Sequence, residues 1–139
     1  MYGTILVPTD GSEGAARATE HAVELAATYG ATVHALNVVE PAYSTDFNAG
    51  ELRASLEAAG EEAVEAVADR AAEAGVEAVT AVVEGDPHRE ILSYAEAVDA
   101  DLVVMGTHGR TGLDRYLLGS VAERVVRTAD APVLTVHLD

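Results

Sequence analysis

Cysteine, lysine and tryptophan are all absent from this 139-residue chain. Without cysteine there is no disulfide framework and no thiol chemistry. Without lysine the Gly-Lys-Ser/Thr core of a P-loop nucleotidase is excluded. Aromatic residues are scarce, five Tyr and one Phe. Long apolar runs are missing as well, and nothing approaches the roughly 20 residues that a membrane helix needs. The first residues enter a strand pattern almost at once, with no basic stretch leading into an apolar one, so no signal peptide is expected and the expected location is cytoplasmic. Positive charge is the last scarcity: 8 basic residues, all arginine, stand against 24 acidic ones, for a formal charge of −16.

That imbalance excludes nucleic acid and anionic membrane as partners, because both call for clustered positive charge. Disorder is rejected by a hydrophobic content of 49% and by clear periodicity. Acid-rich, lysine-free composition suits solubility and hydration in concentrated salt, where self-repulsion is screened. It resembles the balance of proteins from haloarchaea, and a halophilic source is expected.

The length suits one domain, residues 1–139, with a single sizeable core. Thr4–Val7 reads as a strand halted by Pro8. A turn at Thr9-Asp10-Gly11-Ser12 leads to a helix over Glu13–Tyr29 with Ala15, Ala18, Ala22, Leu25/Ala26 and Tyr29 as its apolar stripe. Gly30 stops it. Thr32–Val39 is a second strand, followed by an irregular stretch, Glu40–Gly50, expected to be a mobile loop. A long helix over Glu51–Ala74 turns Leu52, Leu56, Ala59, Ala63, Val67, Ala71 and Ala74 to one side and a run of carboxylates to solvent. Val76–Val83 is a third strand. Gly85-Asp86-Pro87 starts a helix that carries Ile91, Leu92, Ala95 and Val98 inward. Leu102–Met105 is a buried fourth strand, Gly119–Thr128 a last helix burying Val121, Ala122, Val125 and Val126, and Val133–His137 a fifth strand. Strands alternating with helices predict an α/β fold, an open parallel sheet with helices on both faces.

The chemistry concentrates after the fourth strand. Gly106, Gly109 and Gly112 follow at steps of three, and Gly119-Ser120 opens the last helix. A buried strand, a glycine-rich loop and a helix N-terminus in that order form a phosphate cradle, because glycines admit close backbone approach and the first helical amides point outward with partial positive charge. Ser120 adds a hydroxyl donor. Gly106, two residues, Gly109, nine residues and then Gly119-Ser120 resembles the ATP-binding signature of the universal stress protein family. The resemblance extends from Ile5-Leu6-Val7-Pro8-Thr9-Asp10 to Ala131-Pro132-Val133-Leu134-Thr135-Val136.

The resemblance implies five strands in the order 3-2-1-4-5, a Rossmann-like fold of the adenine nucleotide alpha hydrolase kind. Its switch point lies between strands 1 and 4, where Asp10 and Gly106 end their strands, and ligands of open α/β sheets bind at such points. It further implies ATP or another adenine nucleotide as cofactor. Phosphates would lie against Gly109, Arg110, Gly119, Ser120 and Val121, ribose near Pro8 and Gly106, and adenine near Asp10 and Val38. Thr9 and Met105 complete the expected site, Met105 as a contact surface. Mg2+ or Mn2+ would ride on the phosphates, since no dedicated protein ligands for a metal are recognisable. Blander roles compete: Asp10 as a turn or cap residue, Ser120 as a helix cap, Arg110 and Arg115 as surface charges. His108 is titratable, but no paired carboxylate is recognisable, so no catalytic residue is assigned.

Rivals lack their residues. The receiver domains of response regulators share the architecture but need a lysine late in the sheet. Nucleotide hydrolases that activate substrates with ATP carry Ser-Gly-Gly-x-Asp-Ser where this chain has Thr9-Asp10-Gly11-Ser12-Glu13-Gly14, and dinucleotide oxidoreductases need Gly-x-Gly-x-x-Gly there. The expected function is a nucleotide-binding stress or signalling module acting through conformation or partners. The alternatives are a slow ATP hydrolase and a nucleotide-free dimeric interaction protein. The last strand, apolar and at a sheet edge in the implied order, needs cover, and the family resemblance implies a homodimer through it.

Overall fold

The computed structural model describes residues 2–41, 49–108 and 118–138. Its elements are β1 (Thr4–Pro8), α1 (Glu13–Tyr29), β2 (Thr32–Val39), α2 (Ala49–Glu73), β3 (Ala78–Glu84), α3 (Pro87–Ala97), β4 (Leu102–Gly106), α4 (Ser120–Thr128) and β5 (Val133–Val136). All neighbouring strands are parallel, in the order β3-β2-β1-β4-β5.

Alternation along the strands divides the core in two. Ile5, Val7, Val33, Ala35, Leu102 and Val104 face α1 and α2, while Leu6, Leu36, Val103 and Met105 face α3 and α4. Both sets are buried, which is why the strands read as continuous apolar runs. Ser12 caps α1 by accepting from Ala15 N, and Gly30 closes it in the left-handed region at φ 69°. The Asp86 carboxylate caps α3 in the same way through Arg89 N.

Several boundaries differ from the sequence reading, each for a local reason. Pro8 does not stop β1 but completes it opposite Leu36. Val76 does not begin β3: its N–H donates to Ala71 O at 2.8 Å and finishes the turn that ends α2. Helix α2 starts at Ala49, inside the stretch expected to be a loop, and residues 42–48 of that stretch lie outside the described residues. Strand β5 ends at Val136 rather than His137.

The buried stripes are shorter than the apolar spacing predicts. Tyr29, Leu52 and Val126 are 52%, 49% and 45% exposed, and Ala74 is exposed too. The buried side of α2 is confined to Gly60, Ala63, Val64, Val67 and Ala71, so its first turns run past the packed surface. Gly60 sits mid-helix, where glycine costs about 0.5–1 kcal/mol relative to alanine.

Candidate functional site

The ladder between β1 and β4 is short. These strands pair at Ile5–Leu102 and Leu6–Val103, whereas β1 continues along β2 to Pro8–Leu36 and β4 continues along β5 to Gly106–Val136. Past Leu6 the two central strands therefore separate toward their carboxyl ends. This is the switch point of an open parallel sheet, where the chain turns to opposite faces and leaves a crevice.

A cavity of about 410 Å3 occupies that crevice, within the range of small-molecule sites. Pro8, Thr9, Asp10, Val38, Met105, Gly106, Gly119, Ser120 and Val121 all line it. Gly109 and Arg110, the other two residues expected there, lie outside the described residues, as do Gly112 and Arg115.

Three segments build the walls. At the end of β1, Thr9 N donates to Leu36 O at 2.9 Å, Gly11 N to Thr9 Oγ1 at 3.2 Å and Ser12 N to Asp10 Oδ1 at 3.0 Å. Asp10 thus does serve the turn, the blander of its two readings, and that role leaves it in the cavity wall. At the end of β4, buried Thr107 ties both ends of the glycine-rich stretch together. Its N–H donates to Val136 O at 3.1 Å and its carbonyl accepts from Gly119 N at 2.7 Å. Close approach requires glycine at 106: a Cβ there would stand 2.9 Å from Gly14 C and 3.0 Å from Gly14 O.

The third wall is the start of α4. Gly119, not Ser120, is its N-cap, in extended backbone and without a side-chain cap, so Ser120 is the first helical residue. In α1 and α3 a side-chain oxygen takes up one of the first amides. In α4 the N-cap supplies no such side chain, and Gly119, Ser120 and Val121 line the cavity; the first amides of a helix suit an anion. Among the described lining residues there is no arginine, and Asp10 and Glu40 are acidic. Among the described residues, the groups at this wall that suit an anion are backbone amides and the Ser120 hydroxyl.

The other side is apolar, with Val38, Pro87, Ile91 and Met105. Such a surface suits a flat ring, and the polar wall suits its charged appendage. His108 lies in the same cavity with its Nδ1 3.1 Å from Thr107 Oγ1 and its Nε2 buried and unpartnered. Among the described residues the ring has a hydroxyl rather than a carboxylate as its partner.

Signature, fold and crevice agree with one family. The universal stress protein family profile matches residues 1–137. The chain belongs to that family. It is 44% identical to the universal stress protein MJ0531 of Methanocaldococcus jannaschii over 98% of this chain and 82% of the relative. The solved structure of MJ0577, from the same organism, superimposes with a TM-score of 0.87 at 34% identity, covering 98% of this chain and 96% of that one. A universal stress protein solved in complex with cAMP gives 0.79 at 30% identity, with 99% of each chain covered.

Sequence reasoning missed several lining residues: Asn37, Pro87, Ile91, Thr107 and Glu40. Asn37 left a readable signal, a lone amide inside the apolar strand Thr-Val-His-Ala-Leu-Asn-Val-Val. Ile91 left none, because a core residue and a pocket residue of α3 have the same helical spacing.

Proposed function

We propose that this universal stress protein binds ATP or another adenine nucleotide in the β1/β4 crevice, and that occupancy alters its conformation or partners in a stress-response or signalling role. The observation that carries the reading is the uncapped start of α4, Gly119-Ser120-Val121, opening onto a cavity at the switch point opposite Asp10 and Val38. A relative of the same fold was solved with cAMP, an adenine nucleotide, and that supports the choice of base. Gly109 and Arg110 belong to the proposed phosphate side by their place in the signature. A divalent cation, Mg2+ or Mn2+, would be carried on the phosphates rather than by a protein cage.

A slow ATP hydrolase is the alternative reading. His108, the titratable ring nearest the loop, has Thr107 Oγ1 as its partner, and this favours a binding module over a hydrolase. A homodimer through β5 belongs to the same proposal: β5 is a sheet edge, and Leu134, Leu138 and Val126 are exposed around it. Light scattering in high salt should give twice the chain mass, and a monomer mass rejects the pairing.

Mass spectrometry of small molecules released on denaturing the purified protein should find an adenine nucleotide near one per chain. Ser120→Ala should then weaken ATP by roughly ten- to hundredfold, since a hydrogen bond to a charged group is worth about 1.5–3 kcal/mol. Empty protein that also ignores added ATP and AMP rejects the nucleotide reading and favours the interaction protein.

A further inference from the structure

Asn37 stands on the α2 side of the sheet, in β2, opposite Val82 of β3. Its side chain has two neighbours that no other residue of the strand combines. Nδ2 donates to Thr9 O at 2.9 Å, the backbone carbonyl next to Asp10 in the cavity wall. On the other side the carboxamide fills the space above Gly60 of α2. A Cβ at position 60 would come within 2.9 Å of Asn37 Cγ and closer still to Oδ1, with Val82 Cγ1 at 3.3 Å. Gly60 itself lines no part of the cavity. It is a buried glycine in the middle of a 25-residue helix, a position where alanine favours the helix more.

Taking the nucleotide reading of the crevice as given, we propose that Asn37 is a positioning residue for the Thr9–Asp10 wall, and that Gly60 is the seat that permits it. The packing of α2 on the sheet thereby sets the geometry of the base side of the site. The physical chain is short. The carbonyl of Thr9 is held by the Asn37 amide, while the Thr9 N–H and hydroxyl are held by Leu36 O and Gly11 N. Thr9 is thus fixed at three points, and Asp10 follows with its carboxylate on Ser12 N. Any displacement of the carboxamide releases one of the three. A methyl at position 60 meets the far end of a flexible side chain, so the structure relieves it by turning Asn37 away, which strips Thr9 O of its donor. Movement of α2 relative to the sheet acts on the same carboxamide, and occupancy of the crevice acts back on α2 by the same contact.

The test is a double-mutant cycle of Asn37→Ala and Gly60→Ala, read in two ways. In ligand-free protein, amide exchange at Gly11 and Ser12 should quicken in each single variant and no further in the double variant. In titrations with ATP and with AMP, each single variant should bind roughly two- to tenfold more weakly, the loss expected for one neutral hydrogen bond, and again the double variant no more weakly than Asn37→Ala. Should Gly60→Ala fail to fold alone but fold when combined with Asn37→Ala, the clash with the carboxamide is itself the coupling and supports the interlock. Folded Gly60→Ala with unchanged exchange at Gly11 and Ser12, or additive effects in the double variant, overturns the proposal. Coupled exchange across the cycle in a protein that binds neither ATP nor AMP supports the interlock and overturns the nucleotide reading.

Discussion

Single residues carry functions in this chain that spacing alone does not reveal. His34 is the clearest case outside the crevice. It projects from β2 toward α3, where its Nδ1 lies 2.9 Å from the Tyr94 hydroxyl and the two rings meet edge to face at 5.7 Å. Burial lowers the His34 pKa below its ordinary 6.5 and raises that of Tyr94 above 10.0, so both stay neutral near pH 7, and with the imidazole proton on Nε2 the tyrosine O–H donates to Nδ1. Protonation would place a hydrogen on Nδ1 and remove the acceptor. Unfolded, His34 titrates near 6.5; folded, it titrates lower. Just below 6.5 the unfolded chain therefore binds more protons, and the contribution of His34, fully present above 6.5, is lost as pH falls through the interval between the two values. Compared with His34→Gln, which keeps a neutral acceptor, the wild type should lose more of its urea midpoint between about pH 7.5 and 5.5. Parallel pH profiles for the two proteins would reject this account. Composition marks His34 only as one of five histidines. Its partner lies 60 residues away, across a crossover that local pattern cannot measure.

At the scale of elements, the succession of strands and helices along the chain was legible because apolar runs of strand length alternate with helical spacing, and glycine or proline falls at several of the junctions, among them Pro8, Gly30, Gly75 and Gly85. What spacing could not convey was depth. Periodicity fixes the angle of a side chain about a helix axis, so Tyr29, Leu52 and Val126 fall on the stripe, yet their turns lie beyond the sheet that the stripe covers. The candidate site was legible for a related reason: Gly106 and Gly119 are spaced by backbone requirements rather than by side-chain packing. Gly106 shows how strict the requirement is. The end of β4 passes so close to the first turn of α1 that a Cβ at 106 would meet the backbone carbon and oxygen of Gly14 at 2.9 and 3.0 Å. Backbone atoms cannot rotate aside, so Gly106→Ala must push β4 and α1 apart. Overpacking of this kind typically costs about 1–3 kcal/mol, and the urea midpoint should fall accordingly. Because the same contact fixes the floor of the crevice beside Thr107, adenine-nucleotide affinity should drop with it. Gly30→Ala supplies the control: at φ 69° with no atom within 4 Å, it strains one residue at the far end of α1 and should spare ligand binding. Equal effects of the two substitutions on affinity would mean that the β4–α1 contact has no particular tie to the site.

Over the whole molecule the dominant fact is a formal charge of −16. Its distribution matters more than its size. Along the exposed side of α2, Glu57, Glu61, Glu65, Asp69 and Glu73 follow one another at i, i+4, the spacing at which like charges on a helix oppose it by about 0.2–0.5 kcal/mol per pair at low salt. Ion pairs relieve little of this. Arg53 bridges Glu57 and Glu84, Arg70 reaches Glu20 and Arg127 reaches Glu123, all with half-exposed or more exposed arginines, and exposed pairs of that kind contribute about 0–1 kcal/mol each. Screening should help the fold more than it harms these bridges. The Debye length shrinks from about 10 Å at 0.1 M to about 3 Å at 1 M, shorter than the separation of successive carboxylates along the helix. The thermal midpoint should therefore rise between about 0.1 and 3 M KCl, most steeply over the first molar. Replacing Glu61 and Glu65 by Gln should raise the low-salt midpoint and flatten the salt response, because both lie in the middle of the acidic row and neither lines the crevice. A midpoint that is flat or falling with KCl in the wild type would remove repulsion as the governing term and, with it, the expectation of a halophilic source. A rising midpoint whose slope the double substitution leaves unchanged would move the origin of salt dependence away from α2, to hydration of the acidic surface at large.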